Sequence, residues 1–434
     1  MINSTLIEYY RHHSTKYLCD YLQDNKTPRN KTINFVIFLA ILGVILAIMG
    51  FYSPIFARSE IENVKVIDTG QRIHLQKNFE ENIKNKYPGS YVYFPTDGMA
   101  HIKQTRYIKS KPIKINIIEI DTKVNPNLKL KPQIAGEQLN KKTTVRRIAD
   151  KEQAIVAINA GFFKPQTGVP LGALMIDGEV LTGPIFNRVG LAIFEENNET
   201  SFKMENISFD IRAYTKNEMI KIDNINQPRM LSTYTLIYTD MWAKMSPVAP
   251  KGGLNMQIEN NKIKLISPQP LEIPRNGYVI SAPSKVIDKL AKSREIYIEI
   301  KLQENLKNAK HIIGAGPYLV KDSQVYVDYQ AQKLSAISGK NPRSAIGYSN
   351  NGRIVIMTID GREQTSVGVT LNELAYLMKK AGCEYAMNFD GGSSSALYVK
   401  GRIVNSAVNK EGIAVSNALT VIENNPDELI ISGI

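Results

Sequence analysis

From residue 32 to residue 57 this chain carries no charged side chain, and 33–51 is almost wholly Ile, Leu, Val, Phe, Ala, Met and Gly. About twenty apolar residues in helical form span a hydrocarbon core. The run therefore predicts a transmembrane signal-anchor over residues 32–57. Arg11, Lys16, Lys26, Arg29 and Lys31 precede it, so the positive-inside bias makes residues 1–31 a cytoplasmic tail and leaves the bulk of the chain extracytoplasmic. A cleaved signal peptide ending near Ile55-Phe56-Ala57 is the rival reading; the length of the run and of the tail before it favour retention.

Beyond the apolar run, residues 58–96 are polar and rich in Lys, Glu and Asn, with a helical stretch near 71–86 and a turn at Tyr87-Pro88-Gly89. They read as a stem. Residues 97–424 form the main domain, and 425–434 a short tail. The formal charge is +13, and residues 1–34 hold five Lys/Arg against three Asp/Glu, so about +11 falls on the exported part. That balance suits polyanionic envelope partners such as phosphorylated glycans, or simply a well-solvated basic surface. No recognition helix or base-stacking motif points to nucleic acid. Cys19 and Cys383 are the two cysteines and cannot form a disulfide framework.

Within the main domain, residues 113–121 largely alternate apolar and polar, the period of a strand. Asp177-Gly178, Asn351-Gly352 and Lys400-Gly401 sit between apolar runs as hairpin turns. Residues 154–158 form a short apolar run ending at Asn159, and 295–302 is a further strand. Leu371, Leu374, Ala375 and Met378 make one helical stripe, with Thr370 as N-cap, Glu373 at the third helical position and Gly382 as the stop. The expected fold class is α+β: a mixed, strand-rich domain with packed helices, preceded by one N-terminal transmembrane helix. Residues 196–310 hold the fewest motifs and read as variable elaboration.

Chemistry concentrates at Asn388-Phe389-Asp390-Gly391-Gly392-Ser393-Ser394-Ser395, a bend after the predicted strand 385–389. Glycines there let the backbone turn sharply and bring N–H groups to an anion, beside a carboxylate able to move a proton. Alone, Asp-Gly-Gly-Ser is a common loop. Of the five histidines, only His311 adjoins a motif, and a packed strand position suits it better than catalysis. No Gly-x-Ser-x-Gly elbow or paired-histidine metal motif is present.

The loop resembles the signature of the phosphodiester glycosidase family, and the family's other landmarks follow in order. Asn159-Ala160-Gly161-Phe162-Phe163, Pro170-Leu171-Gly172, Ile176-Asp177-Gly178, Gly314-Ala315-Gly316-Pro317, Pro342-Arg343-Ser344-Ala345-Ile346-Gly347 and Ile359-Asp360-Gly361-Arg362 are similar to its segments. Ile413 stands where family members often carry a basic residue before Val-x-Asn-Ala-Leu. The resemblance implies hydrolysis of a glycosyl phosphodiester on the sugar side. Carboxylates then do the acid–base work: Asp390 first, Glu373 second, Asp360 third. Glu373 has a competing role in the helix cap, and Asp360 in a turn. Arg343, Arg362, Asn159, Asn388, Gly391, Gly392 and Ser393 are the expected substrate-binding residues, the arginines for their fit to phosphate oxygens. Phe162 and Phe163 wall the pocket or pack in the core. No cofactor is required; in an alternative, calcium or magnesium makes Asp390 a ligand. A non-catalytic envelope module that binds phosphorylated glycans is the reading from another class.

Overall fold

A computed structural model of the chain describes residues 69–196 and 199–424. The tail expected at 1–31, the anchor at 32–57 and the tail at 425–434 lie outside the described residues. Among those described, no helix is long and apolar enough to cross a membrane.

The α+β expectation is corrected: strand accounts for 43% and helix for 14%, in a β-propeller-like arrangement. The physical reason lies in the connections. Two-residue turns such as Asp177-Gly178 and Lys400-Gly401, all four residues at positive φ, close antiparallel hairpins and leave little chain for helical crossovers. Five sheets result, and among the described strands only Asn224–Ile225 with Leu236–Tyr238 is a parallel pair.

An eight-stranded sheet carries the loop of interest. Its order is Tyr91–Thr96, Met99–Ile108, Lys111–Asp121, Arg353–Ile359, Arg343–Tyr348, Tyr385–Asn388, Tyr318–Lys321, Gln324–Val325. Its central strand Arg353–Ile359 is apolar on both faces because both faces are covered. Ile354 and Ile356 join a core shared with strands Val156–Asn159 and Val189–Glu196, while Val355, Met357 and Ile359 meet the helix Leu371–Lys380. That helix buries the predicted stripe, Leu371, Leu374, Ala375 and Met378, and stops where Gly382 takes φ +87°.

The helix Thr69–Lys86 shows that the expected stem is built into the body. Phe79, Ile83 and the following Tyr87 are buried against the same sheet. Lys86 Nζ meets the fully buried Glu119 at 2.5 Å and donates to the Ala381 carbonyl at 2.6 Å. The Tyr87 hydroxyl also donates to Glu119. A lone carboxylate inside a sheet would be costly; an ammonium and a phenol make it tolerable.

Two smaller sheets complete the site's surroundings. One is Arg402–Ile403, Leu397–Val399, Val156–Asn159, Asn417–Glu423, Leu128–Ile134. The other is Glu179–Thr182, Leu174–Ile176, His311–Gly314, Val189–Glu196, Glu199–Asn206. The motif-poor stretch supplies the remaining sheets, including the predicted strand at Tyr297–Leu302, around its own core of Ile237, Met256, Ile258, Ile280 and Leu290.

Candidate active site

Asp390 stands two residues beyond the strand Tyr385–Asn388, where the chain leaves the eight-stranded sheet. Its N–H donates to the Ala160 carbonyl at 2.8 Å, and its own carbonyl accepts from Asn159 Nδ2 at 2.6 Å. Residues more than two hundred positions upstream thus set its backbone. The half-buried carboxyl receives the Gly391 N–H at 3.0 Å. Burial pushes its pKa up to about 6, against the pull of the Ser394 hydroxyl and that N–H. Such a group changes charge close to neutrality, as an acid–base catalyst should.

The glycines shape the loop rather than present open amides. A Cβ on Gly391 would stand 2.9 Å from the Pro342 carbonyl, and Gly392 adopts φ +61° with Arg362 beside it. The N–H groups of Gly392, Ser394 and Ser395 all donate to nearby backbone carbonyls. What remains outward is a cation and a hydroxyl. Exposed Arg362 reaches Ser393 Oγ through Nη1 at 3.2 Å and Asn341 Oδ1 through Nη2 at 2.8 Å. Neither partner neutralises it, so the guanidinium lies over the loop with its charge available to an anion.

Asp360 ends the strand Arg353–Ile359 and is 3% exposed. Burial raises its pKa, while the Ser406 N–H, 3.0 Å from Oδ1, works against the rise. Asp360 borders a polar cavity of about 630 Å³ that Lys103, Lys114, Asn116, Asn405 and Ser406 also line. Asn405 links this cavity to the loop, donating to the Ser395 carbonyl at 3.0 Å and accepting the Leu397 N–H at 2.7 Å.

The other predicted residues occupy different roles in the structure. Glu373 completes the capping box, accepting the Thr370 N–H at 2.8 Å, with Lys340 Nζ at 3.8 Å. Its carboxylate is folded back on the helix end. Asn159 and Asn388 are buried. Asn159 Oδ1 accepts from Ser344 Oγ at 2.7 Å and from the Ala396 N–H at 3.1 Å, so its amide locks three segments together. Asn388 donates to the Gly316 carbonyl at 2.9 Å. Arg343 is 1% exposed and spends its guanidinium on the carbonyls of Val369, Ile337 and Gly339. It holds the 337–343 turn rather than facing outward. Ile413 is half-buried against an apolar cluster with Tyr398 and Val415. His311 is buried in its strand, and burial pushes its pKa down to about 4.

Sequence reasoning missed Ser344, which holds Asn159, and it missed Arg188. Arg188 opens the apolar strand Val189–Glu196, and a charge at the head of such a run was the available signal. Among the described residues, no group of three or more His, Cys, Asp or Glu side chains is gathered to hold a metal ion.

Residues 248–422 match the family model for phosphodiester glycosidase. Asp360, Arg362, Glu373 and Asp390 fall inside that span; Asn159 and Arg188 fall before it. The SPbeta prophage-derived uncharacterized protein YomE of Bacillus subtilis is 34% identical over 133 residues, which is 31% of this chain and 20% of that relative. The match thus spans about a fifth of the curated relative. A hypothetical protein from Synechocystis superposes with a TM-score of 0.70 at 23% identity, covering 78% of this chain and 64% of that one. A putative exported protein from Burkholderia pseudomallei gives 0.62 at 20% identity, covering 72% and 74%. Both share the fold.

Proposed function

With a phosphodiester glycosidase domain over residues 248–422 as premise, we propose that this chain hydrolyses a glycosyl phosphodiester on its sugar side, releasing a free sugar and a phosphomonoester. The observation that carries the reading is a half-buried carboxyl, Asp390, heading a loop over which the unneutralised Arg362 guanidinium lies. Base and anion partner come from separate segments of the chain that meet at this loop.

In this reading ionised Asp390 takes a proton from water as the water oxygen attacks the anomeric carbon. The bond from that carbon to the phosphate oxygen breaks, and its electron pair stays on phosphate. A carboxyl titrating near 6 is mostly ionised at pH 7 yet still basic enough to accept the proton. The departing phosphomonoester needs its charge stabilised more than it needs a proton. Arg362 and the Ser393 hydroxyl are the donors we assign to it. Asn116, Asn405 and Asp360 are the cavity groups we assign to sugar hydroxyls. We extend the reading to the cell envelope, on the support of the charge-free run 32–57.

The test is sugar release by the full-length chain from a panel of sugar-1-phosphodiesters, with Asp390→Asn alongside. The expected result is turnover that falls by about 10²–10⁴-fold in the variant. In the unsubstituted chain, kcat/KM should rise as pH increases through about 6 and then level, because the deprotonated carboxyl is the active form. No turnover across the panel, with glycan binding equal in both proteins, would replace the hydrolase by a binding module.

A further inference from the structure

Arg188 is a buried cation left without a counter-charge. It is 9% exposed, and among the described residues it forms no salt bridge. Its Nε donates to the Gln332 carbonyl at 3.3 Å, while neither terminal nitrogen donates to an acceptor among the described residues. Those terminal nitrogens are also absent from the sealed, unpartnered polar atoms, so they still meet solvent. The guanidinium lies 5.2 Å from the centre of the Phe162 ring and 5.3 Å from that of Phe186. A second cation, Lys333 Nζ, is 4.7 Å from the centre of the Phe186 ring.

The surrounding backbone is held in an unusual form. Phe186, Asn187 and Lys333 all have positive φ, at 52°, 50° and 56°. An aromatic residue in that region is rare, and such conformations persist where neighbouring structure dictates them. Next to them Gln332 is itself fixed, accepting the Val189 N–H at 3.2 Å and donating to both Asp328 oxygens at 2.8 Å. Asp328 also accepts the Tyr318 N–H at 3.0 Å, so the loop's own acid is occupied. Tethering the loop through one carbonyl would need only a neutral donor. The charge of Arg188 is not accounted for by its contacts, and burying it has a cost.

We propose that Arg188 and Lys333 form an oxyanion subsite, walled by the rings of Phe162 and Phe186, for the phosphate or carboxylate of an organic anion. Two cations beside one ring supply the charge, the planar guanidinium supplies paired donors, and the rings supply an apolar wall for the group that carries the anion. Hydrogen bonds from Ala315 to Val189 and from Gly316 to Asn388 connect the subsite to the strand bearing Asp390. The subsite goes beyond the hydrolytic reading and does not depend on it, since occupancy is measured without turnover.

Calorimetry on the full-length chain, with phenyl phosphate, benzoate and inorganic phosphate as probes, tests the subsite. Phenyl phosphate or benzoate should saturate one site, and the tighter of the two identifies the anion. Arg188→Gln should weaken that probe at least tenfold, Lys333→Gln several-fold, and Arg188→Lys less than Arg188→Gln. Inorganic phosphate should bind more weakly than phenyl phosphate, because it leaves the rings unused. Should Arg188→Gln fail to fold by circular dichroism, Arg188→Lys and Lys333→Gln carry the test. Binding unchanged in folded Arg188 and Lys333 variants but lost in Arg362→Gln would overturn the proposal, as would no binding of any probe.

Discussion

Two buried arginines lie close to the strand that delivers Asp390, and burial pushes both down to about 10. Arg343 has three backbone carbonyls as acceptors; Arg188 has one carbonyl and two aromatic rings. A like depression therefore conceals opposite states. At Arg343 the cation ties together three carbonyls around one turn, and that of Ile337 has no other donor among the described residues. At Arg188 no described residue supplies a counter-charge, and the cation is free for the anion we propose. The acceptors around a buried charge, more than the depth of burial, separate architecture from binding.

Substituting Arg343→Gln probes the satisfied side. It takes away three charge-assisted hydrogen bonds, for an expected loss of about 3 kcal/mol in urea unfolding. A loss below about 1 kcal/mol would break the contrast between the two arginines. Asp390→Asn probes a carboxyl that, like Arg188, is held at a cost. The folded carboxyl titrates near 6 and the unfolded one near the usual carboxylate value. The stability it contributes is thus full below the unfolded value and lost as pH rises through 6. Asparagine stays neutral, so the variant should be more stable by about 2 kcal/mol at pH 7, the gap closing towards pH 4. Equal stability at pH 7 would place Asp390 with the satisfied groups.

Arg188→Gln should raise stability by about 1 kcal/mol at pH 7, the relief of burying an unpaired charge less the lost contacts with the rings. A fall of similar size would return Arg188 to the architectural class. Glu373→Ala gives the smallest change, a loss of about 0.5–1 kcal/mol from the helix cap, with sugar release kept within a few-fold. If sugar release collapses while stability holds, the cap is not what occupies that carboxylate.

The sequence made visible what neighbouring residues decide. The hairpins at Asp177-Gly178, Asn351-Gly352 and Lys400-Gly401, the capped helix before Gly382 and the strand ending near Asp390 all follow from local turn chemistry and periodicity. The fold class did not follow, because one well-marked helix outweighed many short strand signals whose pairing is long-range. Nor did the fates of the polar residues. Asn159 joins Ser344, Asp390 and Ala396, partners that spacing along the chain does not reveal. The cavity beside Asp360 gathers residues from 89 to 406. Arg343 and Arg188 both open strands; only the tertiary arrangement of carbonyls tells them apart.

The helix Thr69–Lys86 also has a mechanical meaning. The strand Tyr91–Thr96 is an edge of the eight-stranded sheet, and an edge strand pulled from one end peels bond by bond under little force. Any tension arriving along the chain from before residue 69 meets the helix first. There it must drag Phe79 and Ile83 through a packed interface and extract Lys86 from Glu119 before the edge strand bears load. The helix is a strain relief, such as the clamp that spares a cable's solder joint, and it keeps a tug on the N-terminal side from unzipping the sheet that carries Asp390.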